Sequence, residues 1–374
     1  MNEICRSLGC EFPLFAFSHC RDVVVEVSKA GGLGVLGGSS FTPEILEQEL
    51  SWIDERIAGK PYGVDILIPE NLGDVGDDIS LDTLRSQVPQ AQRAFTRDLL
   101  QRHGVNVSDS QLVQDEMPTI ISDIGHRLLD VAFQHPIKII VNALGIAPQS
   151  LIQRARQHQV LVGALVGARE HAIRQVEAGV DVIVAQGTEA AGHCGEVSTL
   201  VLVPEVIDAI ADQRSVPVLA AGGIVTGKQM AACMALGAQG AWTGTVWLST
   251  PQSEVSEAIK QKMFAASSRD TIRSTARTGK PSRQLHSAWH DAWHGPDSPG
   301  TLPMPLMSML AEPAFTAIDR AIDKGDERAT VLSSYWVGQG VGMVNSLKSC
   351  RSVVAEFKED FGDAVLSMSA LLEK

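Results

Sequence analysis

Short apolar runs alternate with amphipathic stretches over residues 14–250 of the chain. The runs are nearly continuous and rich in branched aliphatic residues, as expected of parallel strands that are covered on both faces. The stretches between them carry apolar residues at helical spacing, and several end in glycine, for example at Gly31, Gly179 and Gly237. The predicted strands are Leu14–Phe17, Leu33–Leu36, Tyr62–Ile68, Ile137–Asn142, Leu161–Leu165, Val182–Gln186, Val218–Ala220 and Ala241–Thr243.

The predicted helices lie between these strands, at Asp22–Ala30, Pro43–Ile57, Ser150–His158, Glu170–Ala178, Pro204–Ala211 and Gly227–Leu236. Eight strands in strict alternation with helices predict an α/β protein of the (β/α)8 TIM-barrel class. A doubly wound open sheet gives the same alternation and is the alternative at this stage.

Two segments do not fit the alternation of strands and helices, and we interpret them as additions to the barrel. Residues 70–135 hold an acidic stretch with Asp74, Asp77 and Asp78, followed by helix-like runs, and we predict an inserted helical cap after strand three. Residues 251–374 form a predicted helical extension that packs on the barrel, which itself comprises 1–69 and 136–250. The helix-like runs of the cap are Ser86–Arg102 and Met117–Phe133, and the extension contains a loop at Pro296–Pro305 and a glycine-rich turn at Gly338–Gly342.

Composition narrows the classes of partner. The chain has 374 residues, of which 44% are hydrophobic, and Lys+Arg 31 against Asp+Glu 44 gives a net charge of −13. This acidic balance argues against binding to nucleic acid or to an anionic membrane surface, both of which need clustered basic residues. The six cysteines show no C-x-x-C pair, and no apolar run approaches the length of a membrane span or signal peptide. We therefore expect reduced thiols and a cytoplasmic protein.

Glycines follow the seventh and eighth predicted strands. Gly222 and Gly223 come after strand seven, and Gly244 and Thr245 come after strand eight. Glycine lets a backbone approach a ligand closely, and barrels of this class often bind a phosphate group at these two loops. The sequence therefore predicts a phosphate site here, although the glycines could instead serve tight turns alone.

The loop after strand six carries the strongest candidate for catalysis. Gln186 ends the strand, and His193 lies among small residues next to Gly192. A neutral imidazole in such a loop could remove a proton from carbon or hydrogen-bond a developing anion. The alternative is a histidine that only bonds a backbone carbonyl. The neighbouring Cys194 has no second thiol beside it, and we interpret it as a packing residue.

The segment Gln186–Gly195, together with Ala220–Thr226 and Ala30–Gly34, resembles the nitronate monooxygenase family, once called 2-nitropropane dioxygenases. That family is similar to NADH:quinone reductases and FMN-dependent enoyl-acyl carrier protein reductases. The resemblance implies a TIM barrel that binds FMN without a covalent link. It also implies oxidation of a nitronate with dioxygen, while an NAD(P)H-dependent reductase acting on quinones or enoyl thioesters is the alternative. A third alternative is a phosphate-binding barrel that senses a ligand without turnover.

The resemblance also implies roles for individual residues. Ala16 and Phe17 would lie against the flavin ring, and Gln186 would face its polar edge. His193 would be the base or hydrogen-bond donor. The other implied cofactor contacts are Gly192, the phosphate-binding set Gly222, Gly223, Gly244 and Thr245, and Asp65, which stands where the family commonly has asparagine.

Other histidines and basic residues carry weaker predictions. His286, His290 and His294 are spaced four apart, which would place them on one helix face, but packing is favoured over a metal site and no metal is predicted. His19 follows strand one and could enter the pocket. The stretch Thr278–Arg283 could meet a phosphate or form a solvated turn. The oligomeric state is left open.

Overall fold

Eight parallel strands close into a barrel in this computed structural model, which describes residues 2–68, 80–113, 124–143 and 145–372. The strands follow chain order around the barrel, and β1 pairs with β8 to close it. The TIM-barrel prediction is confirmed, and the open-sheet alternative is excluded. The barrel strands are β1 Leu14–Ser18, β2 Leu33–Gly37, β3 Tyr62–Asp65, β4 Ile139–Asn142, β5 Leu161–Val166, β6 Val182–Gln186, β7 Val218–Ala221 and β8 Gly240–Thr243.

Alternate residues of each strand face the barrel interior and the surrounding helices. Phe15 and Val35 belong to the inner cluster, whereas Ala16 and Val64 belong to the cluster between strands and helices. Helix α1 contributes Ile4 and Leu8 to the inner cluster, and Asn2 beside it bonds the carbonyl of Gln239, just before β8. The helix therefore closes the end where the strands begin, and the opposite end remains available for a site.

Helices follow the strands at nearly the predicted positions. The helices are α1 Glu3–Leu8, α2 Arg21–Lys29, α3 Pro43–Arg56, α4 Leu81–Gln87, α5 Gln90–Arg102, α6 Ile124–Ala132, α7 Gln149–His158, α8 Arg169–Ala178, α9 Thr199–Ile210, α10 Gly227–Ala235, α11 Thr245–Leu248, α12 Glu257–Ala265, α13 Ala288–His294, α14 Leu306–Asp323 and α15 Cys350–Ser369. Short 3-10 helices occur at Asp109–Gln111, Glu327–Val331 and Gln339–Met343.

Among the element boundaries that differ from the prediction, two have identifiable reasons. Helix α9 begins at Thr199, five residues before the predicted start at Pro204. Proline there leaves only the carbonyl of Leu200 without its helical partner, and Leu200 is 67% exposed, so water can satisfy it. Strand β3 ends at Asp65 rather than Ile68 because side chains take over the main-chain N–H groups, with Ser39 Oγ accepting from Leu67 and Asn142 Oδ1 accepting from Ile68.

The segment between β3 and β4 contributes to two different cores. Helix α6 packs on α3 and joins the cluster around the barrel strands. Helices α4 and α5 instead share a separate apolar cluster with α13 and α14 of the C-terminal extension. A break at Val88-Pro89 separates α4 from α5 where one helix-like run was predicted. The acidic residues Asp74, Asp77 and Asp78 and the start of the second helix-like run lie outside the described residues.

The C-terminal extension begins with α12, continues with an antiparallel hairpin, β9 Thr271–Ser274 and β10 Ser282–Leu285, and ends with α15 packed across α10 and α2. The division of the chain into barrel, inserted cap and C-terminal extension stays a prediction. Within the described ranges, no helix combines the length and apolar character required to span a membrane.

Candidate functional site

Five main-chain N–H groups at the carboxyl ends of β7 and β8 indicate an anion site. The amides of Gly222, Gly223 and Ile224 after β7, and of Gly244 and Thr245 after β8, have no hydrogen-bond partner among the described residues. The two strands are neighbours in the barrel, so both sets of donors lie at one place. Unpaired backbone donors near the protein interior are rare and are satisfied by water or a ligand. The donor set fits a phosphate group.

Gly222 and Gly223 are required by the shape of this loop. Their φ angles are +109° and +71°, in the region that side chains rarely adopt. A Cβ at Gly222 would lie 2.6 Å from the hydroxyl of Thr199. A Cβ at Gly244, in contrast, would meet no described protein atom within 4 Å, so open space lies beside this residue. We call the loops Gly222–Ile224 and Gly244–Thr245 the glycine cradle.

Side chains that the sequence analysis missed hold the cradle in place. Glu189 Oε2 accepts hydrogen bonds from the amide and hydroxyl of Thr199, at 2.9 and 2.8 Å. Gln229 accepts from the amides of Val225 and Thr226 and donates to the carbonyl of Gly223. Because Gln229 occupies the amides of Val225 and Thr226, these two groups are not available to a phosphate. The T-G-K-Q spacing of a capping box at Thr226–Gln229 could have revealed this.

The glycine-rich turn Gly338–Gly342 lies directly on these loops. The amide of Gly338 donates to Thr245 Oγ1 at 2.9 Å, and the amide of Gln339 donates to the carbonyl of Glu189 at 2.9 Å. A Cβ at Gly338 would lie 2.6 Å from that same carbonyl, so only glycine fits. The C-terminal extension therefore fixes the loops after β6 and β8. An open cavity of about 330 Å³ adjoins the cradle and is lined by Gly222, Gly223, Cys233, Gln339 and Met343 among others.

The His193 loop is fixed by the hairpin of the extension. Gly192, with φ +70°, exchanges two main-chain hydrogen bonds with Arg283, at 3.0 and 2.7 Å. His193 Nδ1 lies 3.3 Å from the carbonyl oxygen of Pro281, which can only accept, so Nδ1 carries the proton of the neutral ring. Nε2 has no hydrogen-bond partner among the residues described and is left as a proton acceptor. The tautomer therefore leaves Nε2 able to accept a proton.

The surroundings favour the neutral form of His193. One side of the ring is exposed to solvent, while protein atoms crowd the rest, and this desolvation holds the pKa of His193 below its usual value. The positive charge of Lys280 acts in the same direction, and the Pro281 carbonyl opposes it. The imidazole is therefore able to accept a proton at neutral pH.

Aromatic side chains form the floor of the barrel mouth. The rings of Phe17 and Trp242 lie 6.1 Å apart, inclined by 27°, and Trp242 also stacks on Phe15. Phe17 is half-buried, so part of its face is open to a ligand. Ala16 points the other way, into the layer of helices, so contact with a ring in the mouth could come only from its main chain.

Two polar side chains at strand ends lack protein partners. Gln186 is half-buried at the end of β6, and its amide forms no hydrogen bond with any described residue. Asp65 is 4% exposed at the end of β3, and its carboxyl likewise has no partner in the described part of the chain. Burial alone raises the pKa of Asp65 to about 7. Both are available to a cofactor with a polar edge, which completes the fit of the site to a flavin nucleotide.

A buried guanidinium supports the wall beside His193. Arg277 forms two hydrogen bonds with Glu312, at 2.9 and 3.1 Å, and its Cζ lies 4.6 Å from the ring centroid of Trp336. The Trp336 ring is in turn 6.2 Å from the His193 ring. Neither Arg277 nor Trp336 was singled out by sequence reasoning, because the fold brings them together over a long separation in the chain.

The remaining candidates lie elsewhere or only pack. His286 precedes α13 and bonds Asp291, His290 is fully buried beside Ser287, and no metal-binding cluster occurs among the residues described. Cys194 is half-buried, with a pKa raised by that burial. In the stretch Thr278–Arg283, Arg283 is buried and bonds the Thr188 carbonyl at 2.9 Å, so this end of the stretch supports the His193 loop.

Comparison with known proteins identifies the family of the chain. The family model for nitronate monooxygenase matches residues 18–360. The chain is 48% identical over its full length to "Putative monooxygenase Rv1533" of Mycobacterium tuberculosis, covering 99% of that protein. It is 26% identical to "Probable nitronate monooxygenase" of Staphylococcus saprophyticus, covering 91% of this chain and 92% of the relative.

Two solved structures share the fold. The nitroalkane oxidase from Streptomyces ansochromogenes superposes with a TM-score of 0.77 at 25% identity, covering 96% of this chain and 98% of the other. FabK from Thermotoga maritima superposes with a TM-score of 0.73 at 24% identity and covers 99% of each chain. Family membership makes the protein an oxidoreductase and points to a flavin cofactor. The chain belongs to the nitronate monooxygenase family.

Proposed function

We propose that this protein is an FMN-dependent nitronate monooxygenase that oxidises alkyl nitronates with dioxygen. The observation that carries the proposal is the glycine cradle, with five unpartnered N–H groups, in the same barrel mouth as an imidazole with a free Nε2. The family match and the relatives named as nitronate monooxygenases support it.

Different residues of the site would hold the phosphate and the ring of the cofactor. Gly222, Gly223, Gly244 and Thr245 would bind the phosphate, because their amides have no partner among the described residues and open space lies beside Gly244. The half-buried Phe17, with Gly192 and the main chain at Ala16, would border the ring, while Gln186 and Asp65 would meet its polar edge. When bound, FMN would supply the electron-transfer chemistry that protein side chains lack.

His193 would act on the substrate. Its Nδ1 proton is held by the Pro281 carbonyl, so Nε2 carries a lone pair and would take the α-proton of a nitroalkane. Once protonated, the same nitrogen can donate a hydrogen bond to the oxygen of the resulting nitronate anion. Trp336 beside it would exclude water from one side of the ring.

Two measurements test the proposal. The purified protein should be yellow and should release FMN on denaturation; a colourless protein that cannot take up FMN contradicts the cofactor assignment. Anaerobic mixing of the holoenzyme with an alkyl nitronate should bleach the flavin absorbance, and dioxygen should restore it. Rapid bleaching by NADH or NADPH, with none by a nitronate, would assign the protein instead to the NAD(P)H-dependent reductases acting on quinones or enoyl thioesters.

A further inference from the structure

Asp65 is a buried carboxyl on the inner wall of the barrel mouth. It lies at the end of β3, two residues after Gly63, on the face opposite that of Val64, which packs towards the helices. The carboxyl oxygens have no hydrogen-bond donor in the described part of the chain, although the residue is only 4% exposed. Leaving a buried polar group unsatisfied costs free energy, so such a group indicates an absent ligand or a retained proton.

The strand beside Asp65 ends in a glycine that two aromatic rings cover. Gly37 of β2 pairs with Asp65, and a Cβ at Gly37 would lie 2.6 Å from His19 Nδ1 and 2.9 Å from Phe17 Cζ. The inner face of this wall is therefore covered by the rings of His19 and Phe17 rather than by a side chain of β2. Asp65 is thus presented to the same mouth as the aromatic floor.

The position of β3 matches the far end of a bound nucleotide. In a closed barrel of eight strands, β3 lies four strands from β7, which carries the glycine cradle. FMN has its phosphate and its isoalloxazine ring at opposite ends of a ribityl chain. A phosphate held at β7 and β8 therefore directs the ring across the mouth towards β3.

Among the described residues of the adjoining strands, no charged group balances an ionised Asp65. On β4 the adjoining residues are Val141 and Asn142, which do not titrate, and β2 offers only Gly37 and Gly38. The titratable neighbour along the wall is His19, whose Nδ1 lies 3.0 Å from the carbonyl oxygen of Gly37 and whose pKa is lowered by crowding. With neither a cation nor a hydrogen-bond donor beside it, the carboxylate form is disfavoured.

We propose that Asp65 keeps its proton in the FMN-loaded protein and donates a hydrogen bond from its carboxyl O–H to an acceptor on the polar edge of the isoalloxazine ring. This inference rests on the proposed function, because it requires FMN. A protonated carboxyl can thus do the work of an amide donor, but only at pH values where it retains the proton.

The decisive experiment is titration of the apoprotein with FMN at several pH values from about 5.5 to about 9. Quenching of the flavin fluorescence reports binding. The wild-type Kd should be constant below about pH 6 and should then weaken by about tenfold per pH unit above the carboxyl pKa. Asp65→Asn, which donates without titrating, should bind FMN with a Kd that does not change over this range. His19→Gln should keep the wild-type pH dependence, since it removes the neighbouring titratable ring and leaves Asp65.

Each outcome separates this inference from the proposed function. A wild-type Kd that is constant up to pH 9, or an Asp65→Asn protein with the same rise as wild type, overturns the inference while leaving FMN binding intact. Failure of all three proteins to bind FMN at any pH overturns the proposed function itself. If Asp65→Asn does not fold, Asp65→Ser provides a second donor that does not titrate in this range.

Wild-type protein alone supplies an independent readout. Binding of FMN at about pH 8 should take up close to one proton, because the empty site is then largely ionised and the loaded site is not. Calorimetry in two buffers of different ionisation enthalpy measures this uptake directly. Binding without proton uptake would show that Asp65 meets the ring as a carboxylate, which contradicts the proposal.

Discussion

The guanidinium of Arg277 lies over the ring of Trp336, with 4.6 Å between Cζ and the ring centroid, and over Phe315 at 4.4 Å. Arg277 is 7% exposed and also forms two hydrogen bonds with Glu312. Desolvation opposes its charge, and the carboxylate of Glu312 supports it, so the pKa of Arg277 stays raised. The contact gives the wall beside His193 a rigid base that belongs to the C-terminal extension.

Removing this guanidinium should destabilise the protein. Arg277→Ala leaves Glu312 without its cation and opens space beneath Trp336, so we expect a loss of roughly 2–4 kcal/mol in the free energy of unfolding. Urea denaturation measures it. The matched control is Arg169→Ala, which breaks an exposed pair with Glu170 and should change the stability by less than about 0.5 kcal/mol. Equal effects of the two substitutions would show that the buried pair stabilises the protein no more than the exposed pair does.

Loss of the His193 imidazole should affect turnover rather than cofactor binding. His193→Ala should lower the rate with a neutral nitroalkane by roughly 10²–10⁴ while FMN remains bound, as expected when a general base is removed. Stopped-flow measurement of flavin bleaching tests this. His286→Ala, an exposed histidine paired with Asp291, is the control and should leave the rate unchanged. If the rate of His193→Ala is less than about tenfold below that of wild type, His193 is not the general base.

The pH dependence of the same reaction should be that of a group that acts only when it is deprotonated. Burial lowers the pKa of His193, so the ring stays neutral at pH values where a free imidazole is already partly protonated. The kcat/KM for a neutral nitroalkane should therefore decline on the acid side only, with its midpoint below about 6.5. A midpoint at or above that value would mean that the crowded ring is not the group that titrates.

A methyl group in the glycine cradle should block the phosphate without disturbing the fold. Gly244→Ala places its Cβ where the structure has no described atom within 4 Å, so the apoprotein should unfold at the wild-type temperature. If phosphate occupies that space, the Kd for FMN should rise by about tenfold or more. Gly362→Ala in α15, where a Cβ also meets no described atom within 4 Å, is the control and should bind FMN normally. Tight FMN binding by Gly244→Ala would show that the phosphate does not occupy the space beside Gly244.

Asp65 should also make the stability of the apoprotein depend on pH. Its folded-state pKa of about 7 exceeds the value near 3.9 of an unfolded chain, so the folded state holds a proton that the unfolded state releases. Stability should therefore be greatest below about pH 4 for this group, decrease as the pH rises, and level off above about pH 7. Relative to wild type, Asp65→Asn should gain on the order of a few kcal/mol between about pH 5 and pH 8, measured by urea denaturation. An identical slope in both proteins would contradict the raised pKa.

The sequence located the barrel and much of the candidate site because both depend on local patterns. Continuous apolar runs followed by glycine loops predicted the eight strands, and the cluster around His193 was visible within ten residues of chain. Sequence reasoning did not find Arg277 or Trp336, since each acts through a partner distant in the chain. The predicted helix start at Pro204 was wrong because proline in an exposed early turn costs only a carbonyl that water can satisfy.

By itself, then, the order of residues determined the alternation of strands and helices, the positions of the cradle glycines and the presence of a histidine loop, because each is set by neighbours along the chain. Tertiary structure decided which donors remain available. Gln229 occupies the amides of Val225 and Thr226, and the Gly338–Gly342 turn bonds Thr245. The barrel buries Asp65 without a hydrogen-bond partner among the described residues. Hydrogen bonds and desolvation depend on what surrounds a group in space, and that is fixed only when the barrel closes and the extension packs on it.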